Sequence, residues 1–177
     1  AVARGMPVEQ VLSGEAGELP AQLNPQACVD GAQWQWDGVS FTTWRWQQAP
    51  AGNASSCVLL VEAQNGERLL LTGDLDKAAE LALLQRAGKL QVDWLQAPHH
   101  GSLSSSSMVF LRAVAPRAVL LSRGRYNAYG HPHPRVLARY QAVHAQLYDN
   151  VSSGALRIQL GRHEPAQGWR TQQRFWR

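Results

Sequence analysis

Short apolar runs alternate with longer amphipathic stretches along the chain, the pattern of a layered α/β domain in which strands feed helices. Residues 8–12 read as a short strand, followed by a connection rich in Gly and Pro as far as Pro25. Large and polar side chains alternate through Trp34-Gln35-Trp36 and again over residues 39–46, on either side of Asp37-Gly38. That dipeptide suits the positive-φ positions of a tight turn, so the two runs are predicted to pair antiparallel. Tryptophans at period two fit sheet packing; a stacking platform for nucleobases is the other reading. A second hairpin is predicted where residues 58–62 and 68–72 flank Asn65-Gly66. Leu69-Leu70-Leu71 has no polar face, which predicts a central strand covered on both sides.

Strand-then-helix units follow. A helix over 75–87 stops at Gly88, and a strand over 92–96 leads to a helix over 105–114 that has serine caps and ends at Pro116. A strand over 118–122 precedes a helix over 133–145, with Pro134 tolerated in the first turn. Strands over 146–148 and 155–160 and a basic, aromatic tail complete the pattern. No internal repeat or low-complexity linker interrupts it, so residues 1–177 are predicted to form a single domain. The opening Ala1-Val2-Ala3-Arg4-Gly5 reads as the middle of a helix, and with no initiator Met or signal-peptide core the chain reads as a piece of something longer.

Bulk properties narrow the picture modestly. A hydrophobic content of 45% with 17% charged residues excludes a disordered chain. No run approaches the roughly 18 apolar residues that cross a bilayer. The balance is basic, 17 Lys and Arg against 13 Asp and Glu, and all but two of the cations are Arg, the residue suited to bidentate phosphate contacts. Such an excess permits nucleic-acid binding without requiring it. The two cysteines, Cys28 and Cys57, are too few for a disulfide scaffold and lack a zinc spacing. They are either buried thiols or partners across a sheet; a bridge would add about 3–4 kcal/mol and imply an extracytoplasmic location.

Candidate chemistry concentrates in loops that follow the apolar strands, where α/β folds place their sites. Asp74 leaves a buried run through Leu71-Thr72-Gly73, either as a helix N-cap or as a carboxylate awaiting a cation. Pro98-His99-His100-Gly101-Ser102 sets two imidazoles side by side; on a regular strand only one would reach a given metal, with His100 favoured over His99. Tyr129-Gly130-His131-Pro132-His133-Pro134 holds two more histidines at a helix start, where anions are attracted. Four histidines and Asp74 thus fall in strand-end loops, while His144 and His163 lie elsewhere. That clustering points to a metal-assisted hydrolase.

The ordered set Leu-Thr-Gly-Asp, then Pro-His-His-Gly-Ser, then Asn127-Ala128-Tyr129-Gly130-His131-Pro132-His133 resembles the carboxy-terminal domain of ComEC-type competence proteins, the inner-membrane channels of natural DNA uptake. The Trp-x-Trp hairpin and Asn53-Ala54-Ser55-Ser56-Cys57 extend the likeness over nearly the whole chain. The resemblance implies a metallo-β-lactamase αββα sandwich, incomplete at its amino terminus here, with two divalent metals (zinc or manganese) and no other cofactor. It implies an activity that degrades the non-transforming strand of incoming DNA, in a soluble domain facing the periplasm and joined to the rest of a membrane channel. By motif, Asp74 resembles the metal-bridging carboxylate and His100 or His99 a late metal ligand. His131 and His133 resemble catalytic groups at the scissile phosphate, and Ser102, Arg123, Arg125, Asn127 and Tyr129 candidate phosphate or DNA contacts. The family's His-x-His-x-Asp-His motif is absent, and Asn53 stands where many relatives of the fold carry a further histidine. The chain by itself is therefore expected to hold little metal and to be inactive. A small-molecule phosphodiesterase of the same fold and a non-catalytic DNA guide are the alternatives.

Overall fold

The computed structural model describes residues 8–170; the helical reading of residues 1–5 and the end of the basic tail lie outside the described residues. The expected α/β architecture is present, built on a seven-stranded sheet whose spatial order follows the chain. Strands β3 (Gln33–Trp36), β4 (Val39–Trp44), β5 (Val58–Glu62) and β6 (Arg68–Leu71) form an antiparallel meander. Its first turn places both Asp37 and Gly38 at positive φ, as the dipeptide requires. From β6 onward β7 (Trp94–Gln96), β8 (Ala118–Leu121) and β9 (Gln146–Asp149) add in parallel. Each crossover carries a helix: α1 (Lys77–Ala87), α2 (Met108–Val114) and α3 (Pro134–Ala142). A short α4 (Asn150–Ser153) follows β9. The strand expected over 8–12 is β1 (Val11–Ser13), which pairs outside the main sheet with β2 (Pro25–Ala27). The strand expected over 155–160 shrinks to β10 (Leu156–Arg157), paired with β11 (Gln167–Gly168).

Alternation assigns the two sheet faces. Val58, Leu60, Leu70, Leu95, Val119 and Leu121 point to one face and form the core with Leu83 of α1, Phe110 and Leu111 of α2, and Val136 and Tyr140 of α3. Phe41, Leu59, Val61, Leu69 and Leu71 point to the other, where they are only half-buried. Trp34 stacks on Phe41 there, with ring centroids 5.2 Å apart. β6 is central, but its coverage is unequal: Leu70 is fully buried, whereas Leu69 and Leu71 are partly open among the described residues. One helical layer against one sheet is half of an αββα arrangement.

Two internal ties hold the chain's outlying segments. Cys28 and Cys57 form a disulfide with a Cα separation of 5.8 Å, joining the segment after β2 to the start of β5. At the opposite end of the strands, the fully buried Glu67 carboxylate accepts from Trp94 Nε1 (2.7 Å), Gly161 N (2.6 Å), His163 N (3.0 Å) and Arg117 (3.3 Å). Burial pushes the Glu67 carboxyl up, but the Trp94, His163 and Gly161 donors outweigh it and hold the group below its ordinary value.

Replacing both cysteines with alanine should cost about 3–4 kcal/mol of unfolding free energy in urea, from the 29-residue separation that the bridge closes. Glu67→Gln replaces one acceptor oxygen by an NH2, strands two of the four donors and should cost about 1–3 kcal/mol at neutral pH. A lowered folded-state pKa stabilises above the unfolded value of 4.5 and loses that contribution as pH falls through the folded value. Wild type and variant should therefore converge in acid; parallel urea midpoints from pH 7 to pH 3 would refute the assignment.

Candidate functional site

The loops after β6, β7 and β8 emerge at one end of the sheet because these strands are parallel. In the first, Gly73 adopts a φ of 57°, and an added Cβ would come within 3.2 Å of the Ser56 side chain. Ser56 Oγ accepts the Asp74 amide at 3.1 Å, fixing the direction in which this loop leaves the sheet. The helix expected from Leu75 begins at Lys77, and its N-cap is Asp76, which accepts from Ala79 N at 2.9 Å. Asp74 is therefore not consumed by capping. Its carboxylate faces the next loop, with Oδ1 lying 3.7 Å from His100 Nε2.

The second loop departs from extended backbone. His99, His100 and Gly101 have φ of 47°, 55° and 83°, so the opposed directions of neighbouring strand residues do not apply. Both imidazoles line the site, with ring centroids 6.4 Å apart. His100 Nδ1 lies 2.7 Å from the Ser122 carbonyl and must donate to it, which leaves the Nε2 lone pair directed at Asp74. His99 donates its amide to Gly73 O (3.1 Å), and its ring meets the Asn53 amide nitrogen (3.4 Å) and Ser104 Oγ (3.4 Å). Asn53 thus contacts a histidine through its NH2 group.

Gly101 permits the third loop to close on the second. A Cβ there would lie 2.6 Å from Pro132 Cβ, and Gly101 O accepts from His133 N at 2.9 Å. The His131 ring sits 5.7 Å from His99 and stacks on Tyr129 at the same centroid distance. His131 Nδ1 is buried without a hydrogen-bond partner among the described residues. Desolvation, then the neighbouring His99, His100 and His133, hold its pKa below the ordinary imidazole value, against the opposing pull of Asp74.

Other predicted residues also make bonds within the scaffold. His133 Nδ1 accepts from Arg135 N at 3.1 Å and caps α3. Asn127 braces its own loop, accepting from His131 N (2.8 Å) and donating to Gly124 O (3.0 Å) and His131 O (2.9 Å). Arg123 is bound to Asp149 at 3.0 and 2.6 Å, and Ser102 is buried against Ser104 at 3.0 Å. Arg123 and Asn127 nevertheless line the cleft beside His100 and His131, and Arg125 and Tyr129 are exposed at the rim. This cleft, of about 300 Å³, runs between His100, Tyr129 and His131. The sequence reading missed the support beneath: Glu80 accepts from Ser106 N and from Ser107 N (2.9 Å), and Arg139 donates to Ser105 O (2.9 Å). The run Ser104–Ser107 was legible only as helix caps.

Asp74 and His100 offer a carboxylate oxygen and an imidazole lone pair, donors suited to zinc or manganese. A closed zinc centre takes four donors, and among the described residues no group of three or more His, Cys, Asp and Glu side chains is placed to hold a metal ion. The residues present fit part of one coordination shell and do not fit a two-metal centre.

No family model matches the chain. It is 42% identical over 150 residues to Competence protein ComA of Neisseria gonorrhoeae, covering 83% of this chain and 21% of that protein. It is 38% identical over 148 residues to the uncharacterized protein YcaI of Escherichia coli (strain K12), covering 82% and 19%. Recombination protein 2 of Haemophilus influenzae is 33% identical over 133 residues, covering 74% and 16%. The chain thus spans about a fifth of the length of these relatives. Among solved structures, the metallo-β-lactamase fold protein YhfI of Bacillus subtilis superposes with a TM-score of 0.45 and 8% identity, over 83% of this chain and 65% of that one.

His131 should titrate below the usual imidazole range when followed by NMR. Asp74→Asn removes the one neighbour that raises it and should lower it further, whereas His99→Gln removes a like charge and should raise it. Opposite movements would show that the ring faces a different set of charges.

Proposed function

The chain belongs to the ComEC family of competence proteins, and from that membership we propose that it is a metal-dependent phosphodiesterase domain degrading the non-transforming DNA strand during natural DNA uptake. The observation that carries the reading is the convergence of Asp74, the His100 Nε2 lone pair and a largely neutral His131 at one sheet end. Asp74 and His100 would hold a divalent metal together with donors from elsewhere. When bound, such a metal polarises a phosphate oxygen and lowers the pKa of a water molecule.

The chain's own groups then have distinct tasks. Ser122 O fixes the His100 tautomer so that Nε2 stays available. His131, its pKa held down by burial and the neighbouring imidazoles, would offer its single ring N–H as a hydrogen-bond donor to a phosphate or leaving-group oxygen. Tyr129, stacked on His131 and exposed, offers a face to a nucleobase beside the scissile phosphate. The Cys28–Cys57 bridge favours an oxidising compartment and hence a periplasmic face. In this reading residues 1–177 form one domain of a membrane channel, inactive by itself because its donor set is partial.

The partial set also favours a second reading, a non-catalytic module that guides DNA with its arginines. Cleavage separates the two. In the intact protein carrying this segment, supplied with zinc or manganese, Asp74→Asn and His100→Asn should each slow single-strand cleavage at least about 100-fold. His131→Asn should slow it about 100-fold while leaving metal content unchanged. Unaltered cleavage in the Asp74 and His100 variants would sink the phosphodiesterase reading. No cleavage by the wild type, with steeply salt-dependent binding, would establish the guide.

A further inference from the structure

A second cleft opens at the same sheet end, on the helical face, between the end of β4 and α1. Its volume is about 360 Å³, enough for a nucleotide. The buried side chains of Val58, Ala79 and Leu83 make its floor, and the partly buried Trp44 and Trp46 line its sides. Arg45 and Arg86 stand at the cleft with Asp30. Arg86 is tied to Asp30 Oδ2 through Nε at 2.9 Å, which leaves its terminal nitrogens as donors, and its side chain is 67% exposed. Asp30 Oδ1 also accepts the Arg45 amide at 3.4 Å. Arg45 Nε is buried and has no partner among the described residues. The charge of Arg45 acts on the chain's own Glu15 carboxylate. Asp30 holds Arg86 through Nε and Glu15 acts electrostatically on Arg45, so the cationic group left open to a ligand beside the aromatic walls is the exposed end of Arg86.

The cleft adjoins the histidine site. Leu75 follows Asp74 directly, and Ser56, whose hydroxyl accepts the Asp74 amide, also lines the cleft. The 300 Å³ cleft beside Tyr129 lies beyond His100, on the other side of Asp74. We infer that the Trp44–Trp46 cleft is a nucleotide subsite for single-stranded DNA, holding a base between indole and apolar floor with its phosphate on the exposed end of Arg86. Aromatic faces accept any base, and guanidinium groups bind the backbone, so the subsite would grip the strand without reading its sequence. The inference rests on DNA as the ligand of the histidine site, and adds where the strand is held next to it.

The test uses the 177-residue chain and an oligothymidylate of about 10 nucleotides at low salt. Titration followed by indole N–H signals should shift those of Trp44 and Trp46. Trp46→Ala should weaken binding about tenfold or more. Arg86→Gln, which keeps a donor for Asp30 while removing the charge, should also weaken it and reduce the salt slope by about one. If Trp46→Ala fails to fold, the Arg86 variant and the indole signals still decide. Binding unchanged in Arg86→Gln with unshifted Trp44 and Trp46 signals would overturn the subsite, as would no binding by the wild-type chain. Neither result touches strand cleavage in the intact protein, which stands or falls on the Asp74 and His100 variants.

Discussion

Three successive residues with left-handed backbone, His99, His100 and Gly101, persist only where surrounding atoms over-determine them, because each non-glycine member carries a steric cost. The surroundings here do so from every side. Gly73 O takes the His99 amide, Ser105 Oγ donates to Pro98 O at 2.8 Å, and Ser122 O holds the His100 ring. Beneath them Glu80 caps the Ser106 and Ser107 amides, while Ser106 Oγ meets Tyr140 OH at 2.7 Å. Burial pushes the Glu80 carboxyl up, since desolvation outweighs those donors. α1, α2 and α3 thus act through polar atoms on one loop, and the imidazole directions follow from their packing.

That loop sets the electrostatics of the site. His131 is desolvated among three other imidazoles, so adding a proton there is opposed by burial and by like charge together. Asp74 works in the opposite direction, and a bound cation would add to the opposition. Asp74 and His100 are close enough to share one cation, yet at 3.7 Å they are too far apart for a direct hydrogen bond. A carboxylate and a lone pair that do not satisfy each other leave room for a third species between them.

Much of this arrangement was legible in the chain. Period-two alternation around Asp37-Gly38 and the polar-free Leu69-Leu70-Leu71 located the meander and its central strand. The strand-end positions of Asp74, His99, His100 and His131 located the candidate site. Helix starts were less legible: Asp74, Asp76 and Ser105 through Ser107 all have capping side chains, and tertiary contacts chose Asp76 and Ser107. The left-handed turn was illegible because His carries no conformational signal comparable to Gly. The internal partners of Arg123, Asn127 and Ser102, which are Asp149, the 124–131 loop and Ser104, were illegible because they are set by folding.

The carboxylates themselves separate scaffold from site by counting donors. Glu67 is fully buried and receives four donors, so its charge is spent on holding the segment after β10 against the sheet. Glu80, equally buried, spends its oxygens on two amides at a helix start. Both are mechanical: their oxygens are taken up by donors of the chain itself. Asp74 differs in kind. Its side chain is 41% exposed, its nearest cationisable neighbour is His100 at 3.7 Å, and its helix is capped by another residue. Solvent lets it keep its charge, and the backbone around Gly73 and Ser56 fixes where that charge points. A carboxylate held in place by others while its own oxygens remain unspent is suited to an external cation, and this asymmetry among three acids singles out the β6 end of the sheet.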